Sequence, residues 1–236
     1  PKWTNSLPRA VGAVVGLVGL GVVWGVYYYF TPQFWEVGYQ PQQPVPYNHQ
    51  IHAGKLGIDC RYCHTHVEEA RHSNVPDTAT CMNCHTGQAG VGGYLNNTLW
   101  KAHETLPALG TVRTSFEKGE PIRWKRVHKL PDYVQFNHAV HLNVGISCYS
   151  CHGRIDQLQV VRQEKSLAMA WCLACHRNPQ KFLVDASDND LANGFRITEL
   201  WSVQKQLDSS TQMEDGLRIA EQRQIEPPQH CGACHY

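Results

Sequence analysis

Every cysteine in the chain falls in one pattern, C-x-x-C-H, which occurs five times. The copies are Cys60/Cys63/His64, Cys81/Cys84/His85, Cys148/Cys151/His152, Cys172/Cys175/His176 and Cys231/Cys234/His235, and they consume all ten cysteines. Thiols spaced in this way also build disulfide scaffolds and zinc sites, but neither needs a histidine directly behind each pair. Attachment of c-type haem does. Each thiol adds across one vinyl group, and the histidine that follows takes the iron as its proximal ligand. The expectation is five covalently bound c-type haems.

Five large, flat, apolar groups change how 236 residues can fold. They occupy the interior in place of leucine, isoleucine and phenylalanine. The expected fold class is a multihaem cytochrome c: mostly irregular chain and short α-helices packed round haem faces, little sheet, and one N-terminal transmembrane helix. The formal charge of +1 excludes the haem propionates, which make the mature protein acidic wherever they ionise. Nothing in the charge pattern resembles a nucleic-acid-binding surface.

Residues 10–30, AVGAVVGLVGLGVVWGVYYYF, are uncharged and almost wholly apolar. At helical rise they match a bilayer core of about 30 Å. A cleaved signal peptide has a shorter apolar core and a small-residue cleavage site. Here the segment runs into Trp24, Tyr27, Tyr28, Tyr29, Phe30 and Trp35, an aromatic belt suited to a membrane interface. An uncleaved anchor over 10–31 is therefore expected. Lys2 and Arg9 precede it, and no Lys or Arg follows until Lys55, so residues 1–9 are assigned to the cytoplasm and the remainder to the periplasmic side. The Gly12-x-x-x-Gly16 and Gly21-x-x-x-Gly25 spacings either receive a partner helix or reflect the frequency of glycine in membrane helices.

A proline-rich linker, 32–46, leads to a haem domain over 47–236 that repeats itself. YNHQIHAGKLGIDCRYCH (47–64) aligns with FNHAVHLNVGISCYSCH (136–152), and a further C-x-x-C-H follows each. The simplest organisation is two copies of a two-haem module, 47–85 and 136–176, with a fifth site at 231–235. Two inserts, 86–127 and 177–230, separate these parts; the polar, helix-prone part of the second reads as a cover over the haems or as a partner surface.

Fourteen histidines less five proximal ones leave nine for the opposite side of the irons. His49 with His52, and His138 with His141, hold matched places in the repeat. Two histidines three apart on a turn point in similar but displaced directions, so each pair can serve two irons. The fifth distal position has two candidates: His128, in RVHKLPDY, and Met169, in LAMAWCLACH. Thioether sulfur is a recognised haem ligand, and Met is equally a filler of core gaps. His66, His72, His103 and His230 have no repeat partner.

The stretches FNHAVHLNVGISCYSCHG, RVHKLPDYVQFNH, LAMAWCLACHR and GIDCRYCHTHVEEARHSNVPDTATCMNCH together resemble the pentahaem cytochrome c component of bacterial alternative complex III, over most of 47–180, the anchor and the terminal CGACHY. The resemblance implies an electron-transfer subunit of a membrane quinol:acceptor oxidoreductase, without bond-making chemistry of its own. It implies partners in the bacterial cytoplasmic membrane: an iron–sulfur subunit related to molybdopterin enzymes, polytopic quinol-binding subunits and a monohaem cytochrome c, with electrons leaving to a periplasmic acceptor. It implies distal ligands at His49, His52, His128, His138, His141 and Met169, six candidates for five irons. The rival readings are a stand-alone membrane-anchored quinol dehydrogenase feeding a periplasmic reductase, a catalytic multihaem reductase, and a haem-based sensor. A reductase wants an open iron, often marked by C-x-x-C-K, and that variant does not occur. A sensor wants a cytoplasmic output domain, and nine residues precede the apolar segment.

Overall fold

A computed structural model describes residues 2–30, 37–85, 106–184 and 196–235. Thr31, Trp35, His103, the first part of the 86–127 insert and residues 185–195 of the second insert lie outside the described residues. Helices and turns make up what is described. The β-structure among these residues is limited to two isolated bridges, Val134 with His235 and Ile146 with Leu183.

After a 3₁₀ turn at Lys2–Asn5, helix α1 runs over Leu7–Phe30 for 24 residues. At 1.5 Å per residue this is about 36 Å, long and apolar enough to cross a membrane. It starts before the uncharged stretch because Pro8, in the first turn, lacks only an N–H that a helix start leaves unpaired anyway. None of its residues is buried.

The later helices are short: α2 (Cys60–Cys63), α3 (Thr78–His85), α4 (Pro107–Lys118), α5 (His138–Asn143), α6 (Cys148–His152), α7 (Met169–Arg177), α8 (Leu200–Leu207), α9 (Gln212–Gln222) and α10 (Cys231–Cys234). Side chains start several of them by accepting hydrogen bonds from backbone N–H groups that would otherwise lack partners. Asp59 accepts from Arg61 N, Asn137 from Ala139 N, Ser147 from Tyr149 N, and Asp77 from Thr80 N. The Gly-Ile shared by the two repeats marks a sharp turn. Gly57 and Gly145 take φ of +66° and +99°, which a side chain would strain.

The two modules pack reciprocally. The turn Gln50–Lys55, which carries His52, lies on the segment after the third C-x-x-C-H, with Gln50 N donating to Leu158 O. There a Cβ on Gly54 would overlap the Asp156 carbonyl. Conversely, α5 lies on the segment after the first motif, through His138 N to Arg71 O, Ala139 N to Ala70 O and Asn143 Nδ2 to Glu68 O.

Ile197, 2% exposed, plugs the junction between Val67 of one module and Leu142 of the other, with Cys148 against the cluster. Ser147 Oγ donates to the Ile197 carbonyl, and Thr198 Oγ1 donates to Asp59 Oδ2 at 2.7 Å. A second small core forms where α9 lies on the turn Pro179–Lys181, burying Leu183, Val184 and Ile219. The polar insert is thus helical in its described part and clamps both modules. The linker is tied down as well: Gly38 N donates to Gln163 O, Gln163 N to Tyr39 O, and Gln43 exchanges hydrogen bonds with the Lys125 backbone.

Candidate haem sites

Each C-x-x-C begins or lies within one helical turn, which puts both thiols on one face and leaves the histidine at or just past the helix end. Cysteine neighbours place the motifs in a row. Cys63 has Cys81 and Cys84 as electrostatic neighbours, and Asn83 Nδ2 donates to the Tyr62 hydroxyl. Cys60 and Cys148 are electrostatic neighbours across the two modules. Cys151 faces Cys172 and Cys175, and Cys172 faces Cys234. The order in space is therefore 81–85, 60–64, 148–152, 172–176, 231–235, with the repeat junction in the middle. Cys231 is exposed and the other nine cysteines are half-buried. As free thiols, the interaction between Cys60 and Cys148 lowers Cys60 and raises Cys148, and desolvation pushes Cys151 up to about 12.

The histidines carry the sharper geometry. In five of them Nδ1–H donates to a main-chain carbonyl: His52 to Asn48 at 2.9 Å, His64 to Asn74 at 2.6 Å, His138 to Arg71 at 3.0 Å, His141 to Asn137 at 2.7 Å and His176 to Pro228 at 2.7 Å. Such a bond fixes the tautomer and leaves Nε2 as a lone-pair donor, the usual arrangement of a metal-bound imidazole. Among the described residues, two ring pairs then stand out, His52 with His85 and His141 with His176, both with centroids 6.2 Å apart, at interplanar angles of 63° and 47°. Two imidazoles on one iron, with metal–nitrogen bonds of about 2 Å, hold their ring centres roughly 6 Å apart. The gap fits a shared haem iron.

The middle of the row is more crowded. His49 has His64 as its main charged neighbour, while His152 has His128 first and His138 second. The His128 and His152 rings lie 4.2 Å apart, closer than two ligands of one iron. His49 Nδ1, His152 Nδ1 and His128 Nε2 are buried without a hydrogen-bond partner among the described residues. Desolvation lowers His49 and His128 to about 4, lowers His138 and His141, and takes His152 well below its ordinary value. These rings are neutral at pH 7, the form a metal takes.

At the end of the row, the Tyr133 ring faces His235 at 5.8 Å. Met169 opens α7, one turn before Cys172, and is 64% exposed. His230 is exposed just before α10, without a side-chain capping bond. Two contributors go beyond the motif reading. Ile197 and Thr198 join the modules from 50 or more residues away, which no local pattern encodes. Tyr47 and Phe136 had a visible signal, their matched places before the two histidine pairs.

Helical fold, motif spacing and paired rings define a multihaem cytochrome c, an electron-transport protein holding c-type haems. Residues 134–236 match the family model described as cytochrome c7 and related cytochrome c. The chain is also similar to the multiheme cytochrome c subunit of menaquinone reductase from Nitratidesulfovibrio vulgaris (strain Hildenborough). The two are 26% identical over 172 residues, covering 64% of this chain and 75% of that subunit.

Proposed function

We propose that the chain is the membrane-anchored pentahaem subunit of a quinol-oxidising complex of the alternative complex III type, carrying electrons from quinol-oxidising partners to a periplasmic acceptor. The observation that carries this reading is the single row of five C-x-x-C-H motifs, with ring pairs spaced for six-coordinate iron. Six-coordination leaves no position for a substrate, which favours transfer over catalysis.

In this reading the ten cysteines hold five haems, and these supply reversible one-electron chemistry when bound. His64, His85, His152, His176 and His235 would each hold an iron directly behind their attachment cysteines. His52 with His85, His141 with His176, His49 with His64, and His138 with His152 would each hold one iron. His128, packed on His152, is then the candidate to spare. Met169 is left for the iron at His235, since α7 brings Cys172 beside Cys234. Backbone carbonyls hold the imidazoles in one tautomer, and the Ile197 plug fixes one module on the other. Helix α1 anchors the row at the bilayer, with Lys2 and Arg9 on the cytoplasmic side.

The name of the relative, a menaquinone reductase subunit, favours a second reading in which electrons run the other way, from a periplasmic donor to quinone. One preparation tests both. The native membrane complex is isolated and its co-migrating subunits are identified by mass spectrometry. Its haem absorbance is then followed on adding menaquinol or a reduced periplasmic cytochrome. Co-migration of polytopic and iron–sulfur subunits, with haem reduction by quinol, upholds the first reading. Reduction by the cytochrome alone, reversed by added quinone, replaces it with the second. A chain that migrates alone and is inert to quinol contradicts both.

A further inference from the structure

The residue that opens each repeat is aromatic, and motif chemistry gives it no task. The structure repeats its contacts closely. The Tyr47 ring stacks on His52 at 4.5 Å and 21°, and meets His49 edge-on at 4.8 Å and 85°. The Phe136 ring stacks on His141 at 4.6 Å and 30°, and meets His138 edge-on at 4.8 Å and 85°. We propose that Tyr47 and Phe136 are positioning residues that fix the ring planes of His52 and His141 relative to those of His85 and His176. The proposal rests on the axial roles given to those histidines above.

A hydrogen bond from Nδ1 to the Asn48 or Asn137 carbonyl sets which nitrogen faces the iron and restrains the swing of the imidazole about the bond to Cβ, but it tolerates a range of ring angles. A flat ring stacked on the imidazole face narrows that range. The edge-on contact to the first histidine of each pair ties both imidazoles of the pair to one aromatic plate. An aliphatic side chain of similar bulk fills the same space without dictating an angle.

The modules differ in one atom. The Tyr47 hydroxyl has the Cys63 sulfur as an electrostatic neighbour, and Phe136 carries no hydroxyl. The histidine pair of the first module stands at 63° and that of the second at 47°. The angle between two axial imidazole planes governs the splitting of the iron d orbitals, so ferric low-spin electron paramagnetic resonance reads it directly.

The test uses the full haem-loaded chain in detergent. Tyr47→Leu and Phe136→Leu are compared with the aromatic exchanges Tyr47→Phe and Phe136→Tyr. Each leucine variant is expected to shift the largest g-value of one low-spin signal, a different signal in each, with haem content by intact mass unchanged. The aromatic exchanges are expected to keep both signals near their original positions. If one leucine variant fails to accumulate, the other module carries the same expectation. His52→Ala and His141→Ala, each turning one iron high-spin, uphold the axial roles separately. Leucine variants with every g-value unmoved, beside such high-spin alanine variants, overturn the positioning role alone. Alanine variants that leave every iron low-spin overturn the axial roles and the proposal with them.

Discussion

Gly216 lies in the middle of α9, where helix propensity alone predicts that alanine would stabilise the protein by about 1 kcal/mol. Packing reverses the sign. A Cβ at this position would overlap the Gln180 carbonyl, a backbone atom in a turn that cannot swing aside. The helix must retreat, and Gln212 Nε2 then loses its hydrogen bonds to Gln180 O at 3.0 Å and Leu183 O at 2.9 Å. Those two bonds contribute roughly 1 kcal/mol each. The strain and loosened packing at Ile219, Leu183 and Val184 cost roughly 2 kcal/mol. Less the propensity gain, Gly216→Ala should destabilise by about 3 kcal/mol, a fall in melting temperature of about 6–12 °C for a chain of this size. Gly110→Ala is the control: it is exposed in α4 with no atom within 4 Å of the added methyl, and it should stabilise by up to about 1 kcal/mol. Far-ultraviolet circular dichroism melts of the haem-loaded proteins measure both. A Gly216→Ala protein melting at or above the parent would refute the contact between α9 and the Pro179–Lys181 turn.

Ile197→Ala should cost about 2–5 kcal/mol from a buried site, and denaturant titration should find the loss together with a weakened magnetic coupling between the irons at His64 and His152. Asp59 is held below its ordinary carboxylate value: burial would raise it, but hydrogen bonds from Arg61 and Thr198 more than offset that. Its contribution to stability is therefore present above the unfolded carboxylate pKa and is lost as pH falls through the lower folded value. Asp59→Asn should accordingly flatten the acid side of the stability–pH curve, and an unchanged slope in acid unfolding would count against it. Met169→Leu should abolish a near-infrared methionine–iron band that His128→Leu leaves intact. A parent protein without that band would contradict the assignment of Met169 to the iron at His235.

The haem motifs, the two-module repeat and the histidine pairs were legible because each is a local spacing of a few residues dictated by covalent chemistry or by one helical turn. That the His52 ring lies beside His85 and the His141 ring beside His176 was not legible, since ring proximity depends on how far apart two turns are held. Ile197 and Thr198 were not legible at all. Their contacts to Ser147 and Asp59 span 50 and 139 residues, and an Ile-Thr pair looks the same in any polar insert. Tyr47 and Phe136 lie between these cases: the repeat displayed them, and the ring stacking gives them a task.

Intact mass of the purified mature chain, with thiol alkylation under denaturing conditions, bears most directly on the reading of all ten cysteines as haem attachment points. The row of five motifs predicts an increment of five haem masses and no alkylated cysteine. An increment of four or fewer haems, with free thiols at any C-x-x-C-H, would break the row and contradict the proposed electron path.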